Sequence, residues 1–126
     1  MAFYLKKEST ASTPYVLIDE AKNYMKLEGR SFHENAVGFF KEVSDWLDGY
    51  LRKEFEGFTF DCAMEYFNSS TAKILYNLLM KLDKCASAEK ITVNWITTEA
   101  NEIITECGED FAEEVHHITF NLVIEE

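Results

Sequence analysis

Apolar and polar positions alternate from Phe58 to Met64. Phe58, Phe60, Cys62 and Met64 fall on one side and Thr59, Asp61 and Ala63 on the other, the period of a strand with a buried face. From Ile74 the period changes, and Leu75, Leu78, Leu79, Leu82 and Cys85 recur at helical spacing, an aliphatic stripe suited to lie on a sheet. Between the two, Asn68-Ser69-Ser70-Thr71 supplies small oxygen-bearing side chains where a helix begins and its first amides lack partners.

The pattern extends in both directions. Residues 1–13 read as an N-terminal arm or edge strand. Pro14 introduces the strand Tyr15-Val16-Leu17-Ile18-Asp19, Glu20 to Asn23 turn the chain, and Tyr24 to Glu28 return it, a hairpin closed by Gly29. Ser31 and Glu34 have the spacing of a capping box. It precedes a helix whose stripe holds Ala36, Val37, Phe40, Val43, Leu47, Tyr50 and Leu51, widened by Phe39 and Trp46 and expected to stop near Gly57. Such a broad aromatic face is core first, with a partner surface as the alternative. Ile91 to Thr97 predict a strand, Thr97 or Thr98 the cap of a third helix that Gly108 interrupts or ends early, and Ile118 to Ile124 a closing strand. Connections after Phe58 are too long for hairpins, so these strands should be largely parallel, with the opening hairpin adding an antiparallel part. The expected fold is α/β: one domain over residues 1–126, with a mixed sheet of about five strands and helices packed on it.

Composition narrows the function. The 126 residues, 47% of them hydrophobic, suffice for a single packed core. A formal net charge of -11 argues against nucleic acid and against anionic lipid. Three widely spaced cysteines, Cys62, Cys85 and Cys107, sit in apolar patterns and read as packed thiols rather than disulfides or metal ligands. The first residues lack the apolar stretch of a signal peptide, and no run is long enough to span a bilayer, so a cytoplasmic location is expected.

Catalytic chemistry finds little support. Ser69 lacks the flanking glycines of a nucleophile elbow, and nothing in the spacing brings His33, His116 or His117 to it or to a cysteine. Adjacent strand residues point to opposite faces, which disfavours His116-His117 as a metal pair. Phosphate-binding loops and Cys-x-x-Cys are missing from the chain. A small Ser or Cys hydrolase is therefore a distant alternative, and no enzyme, cofactor or metal is expected. A modifiable hydroxyl fits better: a phosphate adds about -1.5 to -2 charges at a helix start, where free amides and the helix dipole favour them. The plainer alternative is that Ser69, Ser70 and Thr71 only cap the helix.

Three segments carry a family resemblance: Ser12-Thr13-Pro14, Gly29-Arg30-Ser31-Phe32-His33-Glu34-Asn35 leading to Trp46-Leu47, and Tyr66-Phe67-Asn68-Ser69-Ser70-Thr71-Ala72-Lys73. Over nearly its whole length the chain resembles the SiaC family of bacterial regulatory phosphoproteins, whose fold is similar to the STAS domains of anti-sigma-factor antagonists. The resemblance implies a partner switch. A cognate Ser/Thr kinase modifies the protein, a PP2C-like phosphatase restores it, and the unmodified form binds and activates a GGDEF diguanylate cyclase, so controlling cyclic-di-GMP and biofilm formation. The related alternative is an antagonist that captures an anti-sigma kinase. Carried over position by position, Ser69 is the phosphorylated residue, with Ser70 and Thr71 as alternatives, and Tyr66, Phe67, Asn68, Ser69, Ser70 and Lys73 meet the partner. Two positions depart from the family pattern: His33 stands where proline is common, and Ser69 where threonine is.

Overall fold

The computed structural model describes residues 2–126 and resolves one six-stranded sheet whose spatial order follows the chain. Strands β1 (Tyr4–Lys7), β2 (Tyr15–Asp19) and β3 (Tyr24–Ser31) are antiparallel neighbours. Strands β4 (Phe58–Phe67), β5 (Ile91–Thr98) and β6 (Thr119–Glu125) continue from β3 in parallel. Helices α1 (Ala36–Tyr50), α2 (Ser69–Lys84) and α3 (Glu102–Glu114) make the crossovers. The expected mixed α/β sheet is present, with one strand more than the pattern suggested. The N-terminal segment pairs fully with β2 through Tyr4, Leu5, Lys6 and Lys7, and its two lysines suit an exposed edge.

Burial explains the layering. Alternate residues of β2 to β5, among them Ile18, Leu27, Phe60, Val93 and Trp95, are buried beneath the apolar stripes of the helices. The opposite face stays open to water and carries a polar ladder across four strands. The Tyr24 hydroxyl donates to Asp61 Oδ2 (2.7 Å), Asn94 Nδ2 to Asp61 Oδ1 (2.8 Å), and Asn121 Nδ2 to Asn94 Oδ1 (3.0 Å). Burial and the neighbouring Asp61 carboxylate both push the Tyr24 phenol up from its ordinary pKa.

Several boundaries differ from the sequence reading, each for a tertiary reason. Gly29 does not close the hairpin. At φ +113 it supports a register shift between Gly29 and Arg30, and β3 runs on to Ser31. Ser31 therefore belongs to the sheet, and the expected capping box does not form: Asn35 caps α1, its side chain accepting from the Gly38 amide. Helix α1 stops at Tyr50 rather than near Gly57, and Phe55 folds back to stack on Tyr50, ring centroids 5.0 Å apart. Thr97 and Thr98 remain in the β5–β6 ladder, so Asn101 caps α3. Gly108 does not end α3 but lets it lie against Trp95: a Cβ there would fall 2.4 Å from Trp95 Cδ1. The aromatic face of α1 is core, as the plainer reading held. Phe40 and Tyr50 are buried, and Trp46 stacks on Tyr50 while its indole donates to Glu20 Oε1 (2.7 Å).

Candidate functional site

Each parallel strand from β3 to β5 hands the chain to a helix at its carboxyl end, so the N-termini of α1, α2 and α3 gather on one edge of the sheet. All three begin in the same way. The side chains of Asn35, Asn68 and Asn101 accept from the amides of Gly38, Thr71 and Ile104 respectively.

The start of α2 is the most firmly anchored of the three. Asn68 N donates to Ser31 O (3.0 Å), Asn68 Oδ1 accepts from Thr71 N (3.0 Å), and Ala72 N closes the first helical turn on Asn68 O (2.9 Å). Thr71 is fully buried, its hydroxyl 2.7 Å from that of Ser31 and also near Ser31 O (3.4 Å). The hydroxyls of this corner therefore divide. Thr71 binds the helix to β3, while Ser69 and Ser70 are exposed and make no side-chain hydrogen bond among the described residues. In the folded state the Thr71 side chain is sealed from solvent, whereas those of Ser69 and Ser70 are not. Replacing Thr71 tests the division. Thr71→Val leaves the buried Ser31 hydroxyl without its partner, and urea unfolding should show a loss of about 1–3 kcal/mol.

The other expected contact residues divide as well. Tyr66 is half exposed and packs edge-on against Phe32, itself 44% exposed, with centroids 6.1 Å apart. Lys73, one turn after Ser69, is exposed. Asn68 is half-buried and occupied as the cap. Phe67 instead meets Trp95 in a T-shaped pair (centroids 6.0 Å apart) and packs against the core. The sequence reading missed the exposure of Phe32 and Val37, the latter 71% exposed in the first turn of α1. A hydrophobic stripe read by period alone assigned Val37 to the core.

No histidine hydrogen-bonds a serine, threonine or cysteine side chain among the described residues. His33 Nδ1 accepts from the Asn35 amide (3.0 Å). The backbone amides of His116 and His117 are held by Asp83, which lies about 21 Å along α2 from Ser69 at the helical rise per residue. Ser69 thus has neither of these as a general base, and Cys62 is fully buried, its thiol pushed up in pKa by that burial. Among the described residues no three His, Cys, Asp or Glu side chains converge as metal ligands, and no helix is long and apolar enough to cross a membrane.

Comparison with known proteins agrees with this fold. The family model described as SiaC family regulatory phosphoprotein matches residues 7–125. An uncharacterized protein of Pseudomonas aeruginosa strain UCBPP-PA14 is 26% identical over 106 residues, covering 83% of this chain and 84% of that protein. Among solved structures, SiaC of P. aeruginosa superposes with a TM-score of 0.88 at 22% identity, over 98% of this chain and 99% of that one. A chain in the crystal structure of the P. aeruginosa diguanylate cyclase SiaD in complex with its activator SiaC does so with a TM-score of 0.88 at 24% identity, over 96% and 99%.

Proposed function

The chain belongs to the SiaC family of regulatory phosphoproteins, and from that premise we propose that it is a non-enzymatic, cytoplasmic switch protein, one domain over residues 1–126, controlled by phosphorylation of Ser69. Unmodified, it binds and activates a GGDEF diguanylate cyclase and so controls cyclic-di-GMP and biofilm formation. A cognate Ser/Thr kinase places the phosphate and a PP2C-like phosphatase removes it. The observation that carries this reading is the separation of duties at the start of α2: Asn68 and Thr71 do the capping and anchoring, which leaves the exposed Ser69 hydroxyl without a structural task. A dianion there meets the free amides of the first turn and the positive end of the helix dipole, so the fold accepts it. A partner pressed on Tyr66, Ser69, Ser70 and Lys73 has to bury the same charge, and this is unfavourable. The cyclase is favoured over an anti-sigma kinase because SiaC of P. aeruginosa is the activator of the cyclase SiaD in their complex.

Intact-mass analysis after co-expression with the kinase should show one added phosphate of about 80 Da, mapped by fragmentation to Ser69, abolished in Ser69→Ala and removed by the phosphatase. A phosphate absent from residues 68–71, or one unchanged in Ser69→Ala, would overturn the assignment.

A further inference from the structure

The sheet splits at its carboxyl edge. Strands β4 and β5 pair only as far as Cys62 and Trp95, yet β4 runs on to Phe67 beside β3 and β5 to Thr98 beside β6. A cleft of about 420 Å³ lies in the split, lined by Ala63, Met64 and Glu65 on one side and by Ile96, Thr97 and Thr98 on the other. Consecutive strand residues point to opposite faces, so a cleft that meets all of them runs between the strands rather than over one face. Asn101 ties its two sides together: the side chain that caps α3 also donates from Nδ2 to Glu65 O (2.9 Å) on β4. Thr97 is 4% exposed, and its Oγ1 is the one buried side-chain oxygen or nitrogen among the described residues that has no hydrogen-bond partner. A buried hydroxyl in that state is costly to the fold. Here it borders a cleft able to hold a group that pairs with it.

We propose that this cleft binds a linear aliphatic polyamine, at a site separate from the hydroxyl corner of α2 and independent of the partner-switch reading. Charge selects a cation, because the lining contains Glu28, Glu65 and Glu125 and no Lys, Arg or His. Lys26 stands 3.7 Å from Glu28 and Arg30 4.0 Å from Glu65, both at the long end for an ion pair, and Glu125 makes none among the described residues. The positive end of the α3 dipole opposes this only weakly, since Asn101 caps it and Glu102 stands in its first turn. Spacing selects an extended cation over a metal ion. The three carboxylates lie on β3, β4 and β6, which places the outer two about 14 Å apart across the sheet. No three His, Cys, Asp or Glu side chains among the described residues converge as metal ligands. Ammonium groups separated by methylene runs match that layout, with the methylenes over Ala63, Met64 and Ile96 and N–H donors for the carboxylates and for Thr97 Oγ1.

Calorimetric titration and amide NMR on the full chain test this with spermidine, putrescine and Mg²⁺ as probes. Spermidine should bind about tenfold more tightly than the diamine putrescine. It should shift the amides of Glu65, Ile96, Thr98 and Asn101, which Mg²⁺ at matched ionic strength should leave in place. Glu65→Gln and Glu125→Gln should each weaken spermidine binding about tenfold with the melting temperature unchanged. Glu113→Gln, in the last turn of α3, should have no effect. Thr97→Val should weaken binding about threefold while the melting temperature holds or rises, since no internal hydrogen bond is lost. No binding, shifts spread evenly over the acidic surface, or an equal loss in Glu113→Gln and Glu65→Gln would overturn the proposal. Mg²⁺ moving the same amides at lower concentration than spermidine would overturn it as well. A lower melting temperature for Thr97→Val with spermidine binding intact would make that hydroxyl structural and remove it from the site.

Discussion

Ser69→Glu is expected to weaken cyclase binding by about 100-fold or more while shifting the melting temperature by only a few degrees, and Ser69→Ala to bind like the unmodified protein. The asymmetry follows from position. Ser69 is the first residue of α2, and its side chain takes part in none of the bonds that hold the corner. A carboxylate in the first turn is favoured by about 0.3–1 kcal/mol when exposed, and alanine is a good helix former, so neither variant strains the fold. Binding is different, because an uncompensated charge sealed under a partner costs about 3–5 kcal/mol, and each 1.4 kcal/mol is about tenfold in affinity. Glutamate carries one charge where phosphate carries nearly two, so the authentic phosphoprotein should bind more weakly still. Calorimetric titration beside thermal melts measures both quantities. Unfolding of both variants would make Ser69 a structural residue, and unchanged binding by Ser69→Glu would end the switch.

The complementary result is expected at the other end of α2. Asp83→Ala should cost about 3–5 kcal/mol of stability and lower the melting temperature by roughly 10–15 °C, yet leave the folded fraction competent to bind. The Asp83 carboxylate is buried and accepts from three successive amides: His116 (3.0 Å), His117 (2.7 Å) and Ile118 (3.0 Å). This anchors the turn into β6. Burial pushes its pKa up, but the amides of His117, Ile118 and His116 outweigh that and hold the group below the usual carboxylate range. With the folded value depressed, the contribution is complete above the unfolded pKa of about 3.9 and is lost as pH falls toward the folded value. Wild type should therefore lose stability through acid faster than Asp83→Asn, whose side chain does not titrate there. Urea unfolding from neutral to acid pH decides it. A loss under about 1 kcal/mol for Asp83→Ala would show that the three amides find other acceptors.

What could be read from the order of residues was whatever depends on near neighbours. Alternation in β4, the 3.6-residue stripe of α2, the parallel crossovers and the exposed hydroxyl-bearing corner were all legible, because period, spacing and turn chemistry act within a few residues. The roles of Ser31, Thr71, Asp83 and Val37 were not. Ser31 looked like a helix cap until pairing with β4 drew it into the sheet against Thr71, forty positions away. Nothing near Asp83 in the chain marks it as an anchor, because the amides it holds belong to the turn before β6, more than thirty positions away. Val37 matched the core period, but at the first turn of α1 no neighbour covers it. Local pattern thus determined which elements form and where a cluster of small hydroxyls opens a helix. Only the packed fold decided which hydroxyl is sealed, which acid is an anchor and which apolar side chain stays exposed, because burial is set by contacts between residues far apart in the chain.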